Sequence, residues 1–162
     1  MSEEALELEN SEVHVVEGEF INIKQSSIRS VEGGHVEMQK VCALTIDGEK
    51  VDVMQSAVCV AKAEELNLSQ SINIVSAAAG DVSLNSSCAL AAVAGDQING
   101  INKSAVGVMA ANNIKAENTT SLIMIAKNIE GDVKTVLDWR SALAFGAAFG
   151  GVFGLMKILS KK

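Results

Sequence analysis

The chain lacks proline and tyrosine, has a single tryptophan and carries only 3% aromatic residues over its 162 positions. Its apolar content is instead Val, Ile, Leu and Ala with many Ser and Asn, a mixture that suits a narrow core built of short strands. Cysteine is scarce too. Cys42, Cys59 and Cys88 form no CxxC motif and no even framework, so they read as small buried hydrophobes, with a metal or redox role as the lesser alternative. The two histidines, His14 and His35, have no Cys, Asp or His companion at ligand spacing, and no metal is expected. The chain also lacks a GxSxG elbow, a GxxxxGK[ST] phosphate loop and a carboxylate ladder, so neither catalytic residues nor a cofactor are expected. Met1-Ser2-Glu3-Glu4 lacks the basic start and apolar run of a secretory signal, which points to a cytoplasmic protein.

Charge is unevenly spread. Residues 138–162 hold four basic side chains against one acidic, whereas residues 1–137 hold nine against nineteen. A body this acidic is a poor match to nucleic acid. The cluster Glu3, Glu4, Glu7, Glu9, Glu12, Glu17 and Glu19 reads as a solvated start, or as a device that repels a second N-terminal end.

What the chain does have is a repeat. A branched aliphatic residue opens nine units, at Leu6, Ile21, Val36, Val51, Leu66, Val82, Ile98, Ile114 and Ile129, spaced 15 or 16 residues apart. The thirteenth position of successive units is small: Gly18, Gly33, Gly48, Ala63, Ala78, Ala94, Ala110 and Ala126. The fifth is mostly polar: Asn10, Gln25, Lys40, Gln55, Gln70, Ser86, Asn102 and Asn118. Apolar residues at the first and third positions flank a polar second, as in Ile21-Asn22-Ile23 and Val51-Asp52-Val53, which is the period of a strand with one buried face. A second alternating run, with Leu44, Ile46, Val58, Val60, Ile72 and Ile74 among its members, follows around positions eight to eleven. Each unit therefore holds at least two short strands.

A unit this short cannot hold the helical pair of a ~34-residue repeat, but it matches one coil of a β-solenoid whose strands stack in parallel, about 4.8 Å per coil. The fold class expected is all-β, a single β-solenoid (β-helix) over residues 6–137 with eight to nine coils of 15–16 residues, preceded by an acidic N-terminus at 1–5. Ile21, Val36, Val51, Leu66, Val82, Ile98 and Ile114 form its core column. Asn10, Gln25, Gln55, Gln70, Asn102 and Asn118 are expected to form a polar ladder of stacked amides. The spacing does not match the hexapeptide-repeat acyltransferases, whose coils are multiples of six.

Composition changes after Arg140. Residues 142–156 carry no polar side chain, and beyond Lys157 come Ile158 and Leu159 before Lys161-Lys162. As one C-terminal apolar α-helix, a run reaching Leu159 spans about 27 Å, close to a ~30 Å hydrocarbon core once Lys157 snorkels. Residues 138–162 are thus expected to be a transmembrane tail anchor, with Trp139, Arg140, Phe145, Phe149, Phe153 and Lys157 as its membrane contacts. Gly146, Gly150 and Gly154 recur every four residues and are expected to let two such helices approach closely.

A single short solenoid of 15–16-residue coils with Val/Ile starts, glycine corners at Gly18, Gly33 and Gly48, a brief membrane-reaching tail and no catalytic residues resembles the bactofilins, bacterial cytoskeletal proteins that polymerise end to end. Where bactofilins carry a membrane-targeting piece it is usually N-terminal, whereas here it follows the solenoid. The resemblance implies a structural, non-enzymatic protein that associates with itself and with a lipid bilayer, its solenoid facing the cytoplasm. A surface-displayed filament or adhesin subunit whose apolar tail packs inside the assembly is the alternative, and an acidic DNA mimic is a remote one.

Overall fold

In a computed structural model of the chain, residues 6–101 and 103–135 are described, and they form a parallel β-solenoid of about 8 turns. The described strands, from Leu6–Glu9 to Asn128–Thr135, lie in one continuous sheet, and each pairs in parallel with its equivalent one coil on. The aliphatic starts stack on one another: Ile21 on Val36, Val36 on Val51, Leu66 on Val82, and Ile98 on both Val82 and Ile114.

The coil is more finely divided than two strands. In the Ile21 coil the buried residues are Ile21, Ile23, Ser26, Ile28 and Val31, with Gly33 half-buried. Inward positions are therefore first and third, sixth and eighth, eleventh and thirteenth, with two consecutive outward residues between each pair. Strict alternation would turn every second residue inward, so each doubled outward step marks a bend. Pairing also lapses at these bends, skipping His14 opposite Arg29 and Glu19 opposite Gly34. Fifteen residues thus make three sides of five.

The bends correct the expected second run. Leu44, Val60, Ile72 and Ile74 point outward and are exposed, while Ile46, Val58 and Asn73 point inward. Counting alternation through a doubled outward step shifts the phase by one, and that step is invisible to a period-two reading.

Sixteen-residue coils carry their extra residue at a bend. In the Leu66 and Val82 coils it lies at the last bend, within 79–81 and 95–97, and in the Ile98 coil at the first, beside residue 102. Two expected positions of the Ile98 coil therefore move by one. Lys103, with φ 61°, takes the left-handed conformation that the fifth residue takes in the other coils, and Asn102, expected in the polar ladder, lies outside the described residues. Ala111, not Ala110, packs against the core at the small corner, and Ala110 pairs instead with Val93 and Ile125.

Candidate interaction surfaces

The core column has almost no solvent contact: Ile21, Val36, Val51, Leu66, Val82, Ile98 and Ile114 are all buried. At the small corner the reason for glycine is close approach. A Cβ on Gly33 would stand 2.6 Å from the Gly18 carbonyl oxygen, and one on Gly48 2.8 Å from that of Gly33. From Ala63 onward the column accommodates a methyl group, buried at Ala63, Ala78 and Ala94.

The fifth position is a left-handed corner. Asn10, Gln25, Lys40, Gln55, Gln70, Ser86, Lys103 and Asn118 all have φ between 49° and 61°. An L-residue there costs about 1–2 kcal/mol, least for Asn, which explains the polar composition better than stacking does. Of the expected amide ladder the structure shows the rung in which Gln55 Nε2 donates to Gln70 Oε1 at 3.0 Å.

A buried ladder runs one residue later. The sixth position reads Ser11, Ser26, Val41, Ser56, Ser71, Ser87, Ser104 and Thr119, and from Ser26 on these are buried. The carbonyl before a corner accepts the backbone amide of the preceding coil's corner residue, as Met54 does from Lys40, but the amide after the corner needs another acceptor, and a serine hydroxyl of the next coil supplies it while donating to the carbonyl before its own corner. Ser56 Oγ donates to the Met54 carbonyl at 2.7 Å and accepts the Val41 amide at 2.9 Å. Ser71 Oγ donates to the Ser69 carbonyl at 2.8 Å and accepts the Ser56 amide at 3.3 Å. Recurrence of Ser directly after six of the eight left-handed residues is legible in the sequence once the corner is known.

The outward second position stacks Asn22, Glu37, Asp52 and Asn67. Asn67 Nδ2 donates to Asp52 at 2.8 Å, and His35 Nε2 lies 3.3 Å from Glu37 Oε1. Ligand atoms of His35, Glu37 and Asp52 lie within 4.8 Å of one another, a convergence that linear spacing hides because Asp52 comes from the next coil. These groups are solvent-accessible, and the asparagines and the histidine already satisfy part of their bonding.

The second side carries the least polar surface. From Cys42 to Ile123 its seventh, ninth and tenth positions hold no charged residue, and Leu44, Val60, Ile72, Ile74, Leu90 and Leu122 are exposed there. Between Ser27 and Ile74 this side forms an apolar groove of about 360 Å³. Over the later coils the patch widens around the bend to exposed Val93 and Ile125. The cysteines belong to this side and are not core hydrophobes: Cys42 and Cys88 are exposed and Cys59 is half-buried. Their seventh and ninth positions face out because inward positions on this side are sixth and eighth.

At the ends of the described solenoid the inward residues open to solvent, with Leu6 40% and Ile129 49% exposed against 2% for Ile21 and 1% for Ile114. The expected anchor residues Trp139, Arg140, Phe145, Phe149, Phe153 and Lys157, and the glycines Gly146, Gly150 and Gly154, lie outside the described residues. Among the described residues no helix is long and apolar enough to cross a membrane. Compared with known proteins, the chain matches no family, no curated protein and no solved structure.

Proposed function

We propose that this protein is a non-enzymatic, bactofilin-like scaffold that stacks end to end with further copies of itself and is held at a membrane by residues 142–159. The observation that carries the reading is the opening of the core at the ends of the described solenoid. Leu6 and Ile129 occupy the core column, yet among the described residues neither has the second flanking coil that buries its equivalents elsewhere. A terminal coil also presents unpaired strand edges, and a second solenoid in register would supply both the missing backbone partners and the missing apolar cover. Exposed Glu7, Glu9 and Glu12 on the first coil repel their counterparts on another first coil, so head-to-tail polarity is favoured. Confinement of copies to one membrane would raise their effective concentration and lengthen the polymer without new contacts.

Electron microscopy of the full chain in detergent tests the reading. The expected result is filaments that lengthen with concentration, shortened in an Ile129→Lys variant whose circular dichroism still shows a β-rich fold. Monomers at every concentration, or filaments indifferent to charge at Leu6 and Ile129, overturn end-to-end stacking.

A further inference from the structure

The charge-free strip on the second side has no covering partner among the described residues. We propose that, away from a membrane, residues 142–159 of the same chain fold back along this strip and cover it. The proposal deepens the anchor reading above, since it names where the anchor lies before insertion.

Four observations select this occupant. The described chain stops at Thr135, which pairs with Ser121 on the second side of the last coil, beside the exposed Leu122. Residues 136–141 alone separate that point from the apolar run, a linker short enough for the run to start at the edge of the strip. Length agrees: from the Leu122 coil back to the Leu44 coil is five steps of about 4.8 Å, or roughly 24 Å, and a helix over 142–156 is about 22 Å long.

Width favours one helix over a second copy. Positions seven to ten span about 10–13 Å, the diameter of a helix, and even with Val93 and Ile125 the strip covers roughly 300–500 Å². A stable pair of copies buries about 800 Å² on each partner. Charge agrees as well. Run in this direction, the tail brings Lys157, Lys161 and Lys162 toward the first coils, where exposed Glu12 lies on the second side and exposed Glu17 and Glu32 on the adjoining third side, against Arg29.

Native cysteines make the cover measurable, because Cys42, Cys59 and Cys88 all lie on or beside the strip. In the full chain without lipid or detergent, maleimide should label them at least tenfold more slowly than in a Phe149→Asp variant with the same β-rich circular dichroism. Equal rates overturn the proposal. In a Phe149→Cys variant a short bis-maleimide should join residue 149 to Cys88 within one chain; products that join two chains, and grow with concentration, overturn it in favour of a second copy. Flotation with phosphatidylcholine vesicles then separates this inference from the anchor reading. Chains that float with fast thiols support both. Chains that float with thiols still slow overturn the docked tail, because something else covers them. Chains that fail to float while their thiols stay slow overturn the anchor alone and leave the docked tail supported.

Discussion

At Gly33 a single hydrogen is all the space that remains between consecutive coils. The added Cβ of Gly33→Ala would press on the Gly18 carbonyl oxygen at 2.6 Å and on Ile21 Cδ1 at 2.7 Å, whereas at Gly18 the nearest atom, Ile21 Cγ1, lies 3.5 Å away. Gly33→Ala should therefore cost about 1–3 kcal/mol by urea denaturation and Gly18→Ala much less. Equal midpoints for the two would show that the corner is not tightly stacked. Asn73 is the opposite case, a polar residue where its column has Val58 before it and Ala89 after it. Its Nδ2 donates to Ser76 Oγ at 3.1 Å, but its Oδ1 is buried without a hydrogen-bond partner among the described residues. Replacing the pair together, Asn73→Val with Ser76→Ala, removes the unpaired oxygen without stranding the hydroxyl. Stability should rise by about 1–2 kcal/mol, read from the same denaturation curves, and a fall would show that Oδ1 has a partner in solution.

The element that holds each coil to the next at the first corner is the serine ladder. Ser56→Ala removes the acceptor of the buried Val41 amide and the donor to the Met54 carbonyl, so it should cost about 1–3 kcal/mol, while exposed Ser27→Ala stays within about 0.5 kcal/mol. Thermal melts followed by circular dichroism would distinguish the two. Similar melts would mean that water replaces the hydroxyl. The left-handed residue and the serine act together across coils, because the Val41 amide that follows the turn at Lys40 is accepted by the Ser56 hydroxyl of the next coil.

For the whole molecule, the coil is a unit of three sides, and its length can vary only where the sides meet. The Leu66 coil has its extra residue within 79–81, so deleting Gly80 returns that coil to fifteen residues and leaves each inward residue inward. Deleting Asn67, between buried Leu66 and Leu68, moves one of them to the outer face. The first deletion should lower the melting temperature modestly and keep a single cooperative transition. The second should abolish the cooperative transition, and equal effects would overturn the three-sided coil. Because each coil touches only its neighbours, damage in the middle divides the rod, whereas damage at an end shortens it.

How much of this was legible in the chain differs by feature. The repeat, the parallel stacking and the core column from Ile21 to Ile114 follow from sequence alone, because a residue buried against its own copy must recur at the coil length as an aliphatic side chain. The small corner was legible for the same reason, as a recurrence of Gly and Ala. Which residues share the second side was decided by the tertiary structure. Ile72 and Asn73 exchange roles because a bend inserts two outward residues in succession, and hydrophobicity alone favours the wrong one. The shift to Lys103 and Ala111 likewise depends on which bend took the extra residue, and a local pattern cannot choose among three equivalent bends. His35, Glu37 and Asp52 meet, and the cysteines align on one apolar face, only because residues from successive coils come to lie about 4.8 Å apart when the coil closes.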